Sequence, residues 1–150
     1  MGVLNGQEII SEIARRLRAG FSESVFKEIY KDTPNQGFQP GCIFIHDVED
    51  DHKNELRGYA RWSFVVDIRC HPPKNVSAVF TWGRGIAVQA IDLINKLEVS
   101  GQQVKASTIQ WRVIDNVLHV ICKYSFRVRE VPIDDPLMRT LTYGERVKNL

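Results

Sequence analysis

The sequence predicts an α+β fold: an antiparallel sheet of four to five strands with two helices packed on one face, plus an extended C-terminal arm. Three observations predict it. Val117 to Arg129 alternates strictly, with Leu118, Val120, Cys122, Tyr124, Phe126 and Val128 on one face and His119, Ile121, Lys123, Ser125, Arg127 and Arg129 on the other. Successive side chains of a strand point to opposite faces, so this is a strand with one buried face and one polar, increasingly basic face. Arg57 to Cys70 has the same design, setting Trp62, Phe64, Val66, Ile68 and Cys70 against Arg61, Ser63, Val65, Asp67 and Arg69. Two other stretches carry apolar residues at spacings of three and four, the period of a helix.

The first of these is Ile9, Ile10, Ile13, Ala14 and Leu17. Asn5 and Glu8 have the spacing of a capping box, and Gly20 is placed to end the helix. Its polar face carries Glu12, Arg15, Arg16 and Arg18, which read as a solvated surface or as a contact for a neighbouring subunit. Ser24 to Tyr30 follows as a short strand, and Asp32 to Gly37 is loop chemistry because Pro34 and Gly37 set turns. Cys42-Ile43-Phe44-Ile45 is compact and apolar, as in a strand deep in a sheet, and Asp47 to Glu55 reads as an exposed hairpin connection. Its acids lack the spacing and central glycine of a calcium loop.

His71-Pro72-Pro73 stops the long strand, because proline has no amide hydrogen for a ladder. Val76 to Leu97 is the second helix, with Val79, Phe80, Gly83, Ile86, Ala87, Ala90, Ile91, Ile94 and Leu97 in one stripe. Gly83 and Gly85 each cost about 1 kcal/mol relative to alanine there, so they signal close approach to the sheet or a break in the helix. Trp82-Gly83-Arg84-Gly85 lacks the Gly-Lys-Ser/Thr ending of a phosphate loop. Thr108 to Ile114 then pairs with Val117 to Arg129 through Asp115 and Asn116, residues that tolerate the left-handed angles of a tight hairpin.

Residues 1–130 thus read as one domain and 131–150 as an arm, in which Leu137, Met138, Leu141 and Tyr143 are too apolar to remain solvated. A chain of 150 residues can bury a core without staples. The net charge of +2 is mild, which disfavours a partner chosen by bulk charge. Cys42, Cys70 and Cys122 are odd in number and lie in apolar runs, so reduced core residues in a reducing compartment are expected. No run approaches the roughly 20 apolar residues of a membrane span, and the first residues do not have the layout of a signal peptide.

No catalytic set is visible. His46, His52, His71 and His119 stand at no zinc spacing, and the nucleophile elbow, dinucleotide fingerprint and Walker motif are all lacking, so no enzyme, metal or cofactor is expected. Arg61, Arg69, Arg112, Lys123, Arg127 and Arg129 lie on the polar sheet face and are candidate contact residues, together with Leu137, Met138, Leu141 and Tyr143 of the arm. A nucleic-acid-binding or other small binding module using this basic face stays open as the alternative.

Gln36-Gly37-Phe38-Gln39-Pro40-Gly41-Cys42-Ile43-Phe44-Ile45, Arg61 to Ile68 closing on Pro72, and Val113-Ile114-Asp115-Asn116-Val117-Leu118-His119-Val120 together resemble the phage tail terminator family. The resemblance runs from the first helix to about Val131, with Asn116 where glycine would be expected. It implies a homohexameric ring that caps the tail tube, ends its polymerisation and offers a docking surface for head or collar. The partners implied are the tail tube protein and a sheath, head-tail connector or collar protein, with DNA only in transit past Arg127 and Arg129 in the lumen and no membrane. The implied location is the bacterial host cytoplasm during assembly and then the phage tail or phage-like particle.

Overall fold

A computed structural model describes residues 5–31 and 39–129. Helix α1 spans Gly6–Gly20, and Asn5 Oδ1 accepts the Glu8 amide at 3.0 Å. That is half of the expected capping box: the Glu8 carboxylate turns instead to the Ser100 hydroxyl, 2.8 Å away. Ile9, Ile13 and Leu17 are wholly buried, as their spacing requires. Gly20 does end the helix, but its lack of a side chain serves packing, because a Cβ there would collide with Leu93. Helix α2 is Val79–Ile94, and a Cβ on Gly83 would lie 3.3 Å from Val113 and 3.4 Å from Leu118. Gly83 is thus the close approach to the sheet, within an unbroken helix, whereas Gly85 faces open space.

The sheet corrects the expectation of four to five antiparallel strands: it has six strands and is mixed. They are β1 (Glu28–Tyr30), β2 (Cys42–Asn54), β3 (Tyr59–Cys70), β4 (Lys96–Val99), β5 (Gln102–Ile114) and β6 (Val117–Arg129), in the order β1-β2-β3-β6-β5-β4. β1 runs parallel to β2, with Glu28 opposite Cys42 and Tyr30 opposite Phe44. Elsewhere neighbours are antiparallel. The His71 amide bonds to the Cys42 carbonyl across β2 and β3. As β3 advances from Ser63 to Asp67, its partners on β6 retreat from Ser125 to His119.

Each departure from the predicted elements has a physical cause. Ser22 to Phe26 turns rather than extends, since the Phe26 amide closes on the Ser22 carbonyl at 3.0 Å and the Phe26 ring packs edge-on against Phe21 in the core. Packing of one aromatic side chain overrode the local alternation. Residues 47–54 continue β2 as strand instead of forming a connection; they are exposed, so no apolar period reveals them. The turn is shorter, with Arg57 and Gly58 both at positive φ. The start of β4 falls within the end of the predicted second helix because Leu97 fits the helical stripe, yet Leu97 and Val99 are buried and Lys96 and Glu98 exposed, the alternation of a strand. Ser100 and Gly101, at φ 52 and 77, turn β4 back onto β5 with Val99 opposite Gln102.

The predicted hairpin stands. Asp115 and Asn116 have φ of 51 and 62, the two left-handed positions of a two-residue turn, and Ile114 pairs with Val117. Leu118, Val120, Cys122 and Tyr124 are wholly buried on the helix-covered face, and all three cysteines are buried and free. Gly6 approaches Phe64 as Gly83 approaches Leu118, which places both helices on that one face. The Tyr124 hydroxyl donates to the Ile94 carbonyl at 2.7 Å, tying the end of α2 to β6.

Two compact units divide the chain: Met1–Asp51 with Ser63–Ser125, and His52–Trp62 with Phe126–Leu150. The predicted arm, residues 131–150, and the whole of the loop Asp32 to Gly37 lie outside the described residues.

Candidate functional site

In the first unit, the sheet face opposite the helices is built from cross-strand neighbours on β3, β6 and β5. Ser63 and Ser125 hydroxyls lie 3.3 Å apart, His119 Nδ1 lies 3.0 Å from Asp67 Oδ2, and Arg112 stands in register with His119. Residues directly opposite on one face interact, so these contacts fix the side chains of that face relative to one another. Arg69 Nε donates to the same Asp67 oxygen at 3.1 Å. Asp67 is only 7% exposed, and a carboxylate taken from water needs such charge-assisted donors. Arg112 and Lys123 are exposed on this face and make no ion pair among the described residues.

His71 follows the last residue of β3 and is buried, its ring packed edge-to-face with Phe44 at 4.9 Å between ring centres. Burial, reinforced by the positive charges of His119, Arg69 and His46, lowers its pKa to about 4. It is therefore neutral near pH 7 and adds no charge to the face.

The second unit carries its own group. Glu55 accepts from Arg61 Nε at 3.2 Å and from Arg127 Nε at 2.9 Å. The Arg127 guanidinium lies 4.2 Å from the centre of the Tyr59 ring, and that of Arg129 lies 5.7 Å from it. Three guanidinium groups thus meet one carboxylate and one aromatic ring. The pairs are half-exposed and worth at most about 1 kcal/mol each, so their value is in placing positive charge rather than in stability.

The structure therefore brings Arg61, Arg127 and Arg129 together and sets Arg69 beside Asp67, while Arg112 and Lys123 remain exposed; Leu137, Met138, Leu141 and Tyr143 lie outside the described residues. Sequence reasoning missed Asp67, His119, Glu55 and Tyr59 as organisers. Asp67 offered one signal, an acid amid a β-branched and aromatic strand where aspartate is disfavoured. Its partner needed the register between β3 and β6.

Reactive chemistry finds little support in these residues. Burial raises the Cys122 thiol to about 12 and pushes the Cys70 thiol and the Tyr124 phenol higher still. A thiol so placed is a core hydrophobe rather than a nucleophile. Among the described residues, no three His, Cys, Asp or Glu side chains are grouped to hold a metal ion, and no helix is long and apolar enough to cross a membrane. Each group, within its own unit, offers charged side chains at the surface.

A sequence profile of the family described as phage tail terminator protein matches residues 8–136, from the first turn of α1 to beyond the end of β6. No curated protein matches the chain. The profile covers every strand and helix that builds the surface described above. The chain belongs to the phage tail terminator protein family, a structural family of the phage tail that works in contact with other tail proteins.

Proposed function

We propose that six copies of the chain close into a ring that caps the finished tail tube, stops its polymerisation and presents the docking surface for the head or collar. The family match over residues 8–136 carries this reading. The surface supports it: Arg112 and Lys123 stay exposed and unpaired by acids among the described residues, on a face whose scaffold is fixed by Asp67 and His119. In a ring each subunit offers its neighbours two different patches, a heterologous contact that rotation closes. The polar sheet face supplies one, and residues 131–150, laid across the adjacent subunit, supply the other. Arg127 and Arg129, bracketing Tyr59, suit contact with a phosphate backbone and face the lumen through which DNA passes.

Assembly takes place in the host cytoplasm, and the ring leaves with the particle. Tube growth tests the proposal. Added to polymerising tail tube protein, the purified chain should fix tube length and appear at one tube end by electron microscopy. Tubes that lengthen as fast with the chain as without it would rule the capping role out.

A further inference from the structure

Strand β2 is 13 residues long, yet β1 pairs with only Cys42, Ile43 and Phe44 of it. Within the first unit, Asp47–Asp51 has β3 on one side and, among the described residues, no strand on the other. An open edge of this kind presents backbone donors and acceptors and is a template for an added strand. Its side chains are distinctive: Asp47, Glu49, Asp50 and Asp51 surround Val48, which is 57% exposed. Two of the acids, Asp47 and Asp50, act on each other. Partial burial and the neighbouring Asp47 carboxylate raise Asp50 to about 6, so a cation brought to this edge relieves repulsion.

The chain contains a segment of matching chemistry. After Pro136 no further proline occurs, and Thr140-Leu141-Thr142-Tyr143 alternates threonine with large apolar or aromatic side chains, a pattern that suits a strand. Residues 139–148 carry Arg139, Arg146 and Lys148 against the single acid Glu145. From Arg129, the last residue of β6, to Arg139 the chain can extend by up to about 35 Å, enough to cross a subunit boundary.

We propose that residues 139–148 of a neighbouring copy add to the Asp47–Asp51 edge of β2 as an extra strand, with their basic side chains against its acids and Leu141 or Tyr143 over Val48. This rests on the ring reading. Edge and segment are different patches of one chain, so the contact is heterologous and each copy can give and receive one strand.

Amide hydrogen exchange on the assembled full-length chain tests it, beside a chain ending at Val131. The expected result is exchange at residues 47–51 at least tenfold slower in the full-length ring than in the truncated chain. A second arm covers misfolding of the truncated form. Asp47→Lys with Asp51→Lys should weaken assembly at least tenfold, and Arg146→Glu with Lys148→Glu in the same chain, on the strand face opposite Leu141 and Tyr143, should restore it. A ring by mass whose edge exchanges equally fast with and without residues 132–150 overturns the inference and leaves the ring intact. A protected edge in a monomer assigns the strand to the chain's own segment, and protection that survives truncation but needs tail tubes assigns it to the tube protein; either overturns the inference. A chain that stays monomeric on tail tubes overturns the ring reading itself.

Discussion

The imidazole Nδ1 of His119 lies 3.0 Å from Oδ2 of Asp67, joining two strands at residues 52 positions apart in the sequence. Asp67 also holds Arg69, so one buried carboxylate organises two basic side chains of the outer face. Asp67→Ala leaves both without their acceptor and should lower stability by about 2 kcal/mol, the scale of a hydrogen bond to a charged group. Urea denaturation reads this directly. A loss under about 0.5 kcal/mol would show that the pair does not hold β3 to β6.

The Tyr124 hydroxyl is buried and donates to the Ile94 carbonyl at the end of α2. Tyr124→Phe keeps the ring and strands that carbonyl, at a cost of about 1 kcal/mol. Equal stability of the two proteins would mean that water or another donor replaces the hydroxyl.

Three glycines should respond differently to alanine. At Gly85 a Cβ meets nothing, so Gly85→Ala should raise stability by up to about 1 kcal/mol through helix propensity. At Gly20 a Cβ runs into Leu93, and Gly20→Ala should lower it by about 1–3 kcal/mol through overpacking. Gly83→Ala, tight but not overlapping, should fall between them. Thermal melts rank the three, and a reversed order of Gly85 and Gly20 would contradict the placement of the two helices.

Between about pH 4 and 6 two groups oppose each other. His71 has its pKa lowered in the fold from 6.5 to about 4, so its contribution is complete above pH 6.5 and is lost as pH falls through 4. Asp50 is raised from 3.8 to about 6, so its contribution is complete below pH 3.8 and is lost as pH rises through 6. Asp50→Asn removes the second effect and should make stability fall more steeply from pH 6.5 to 4 than in the parent. Salt screens the repulsion from Asp47 and should shrink that part of the difference, leaving the part due to partial burial. A steepness unchanged by the substitution at low salt would remove Asp50 from the account.

Legibility in the sequence followed burial. β6, the Asp115–Asn116 turn and α1 were readable because a buried face repeats with the period of its element. The second half of β2 was not, since its exposed acids carry no period, and the first half of β4 was mistaken for helix because one residue, Leu97, satisfied both patterns. The basic residues of the polar face were legible one by one. Their grouping was not, because Glu55 joins Arg61 to Arg127 and Asp67 meets His119 only once strand order and register are set.

The ring is the central claim, and the mass of the complex at tail tube ends tests it most directly. Native mass measurement or mass photometry of the full chain bound to tubes should find six copies at one end of each tube. A single copy per end, or a chain that remains monomeric at every concentration with tubes present, would contradict it.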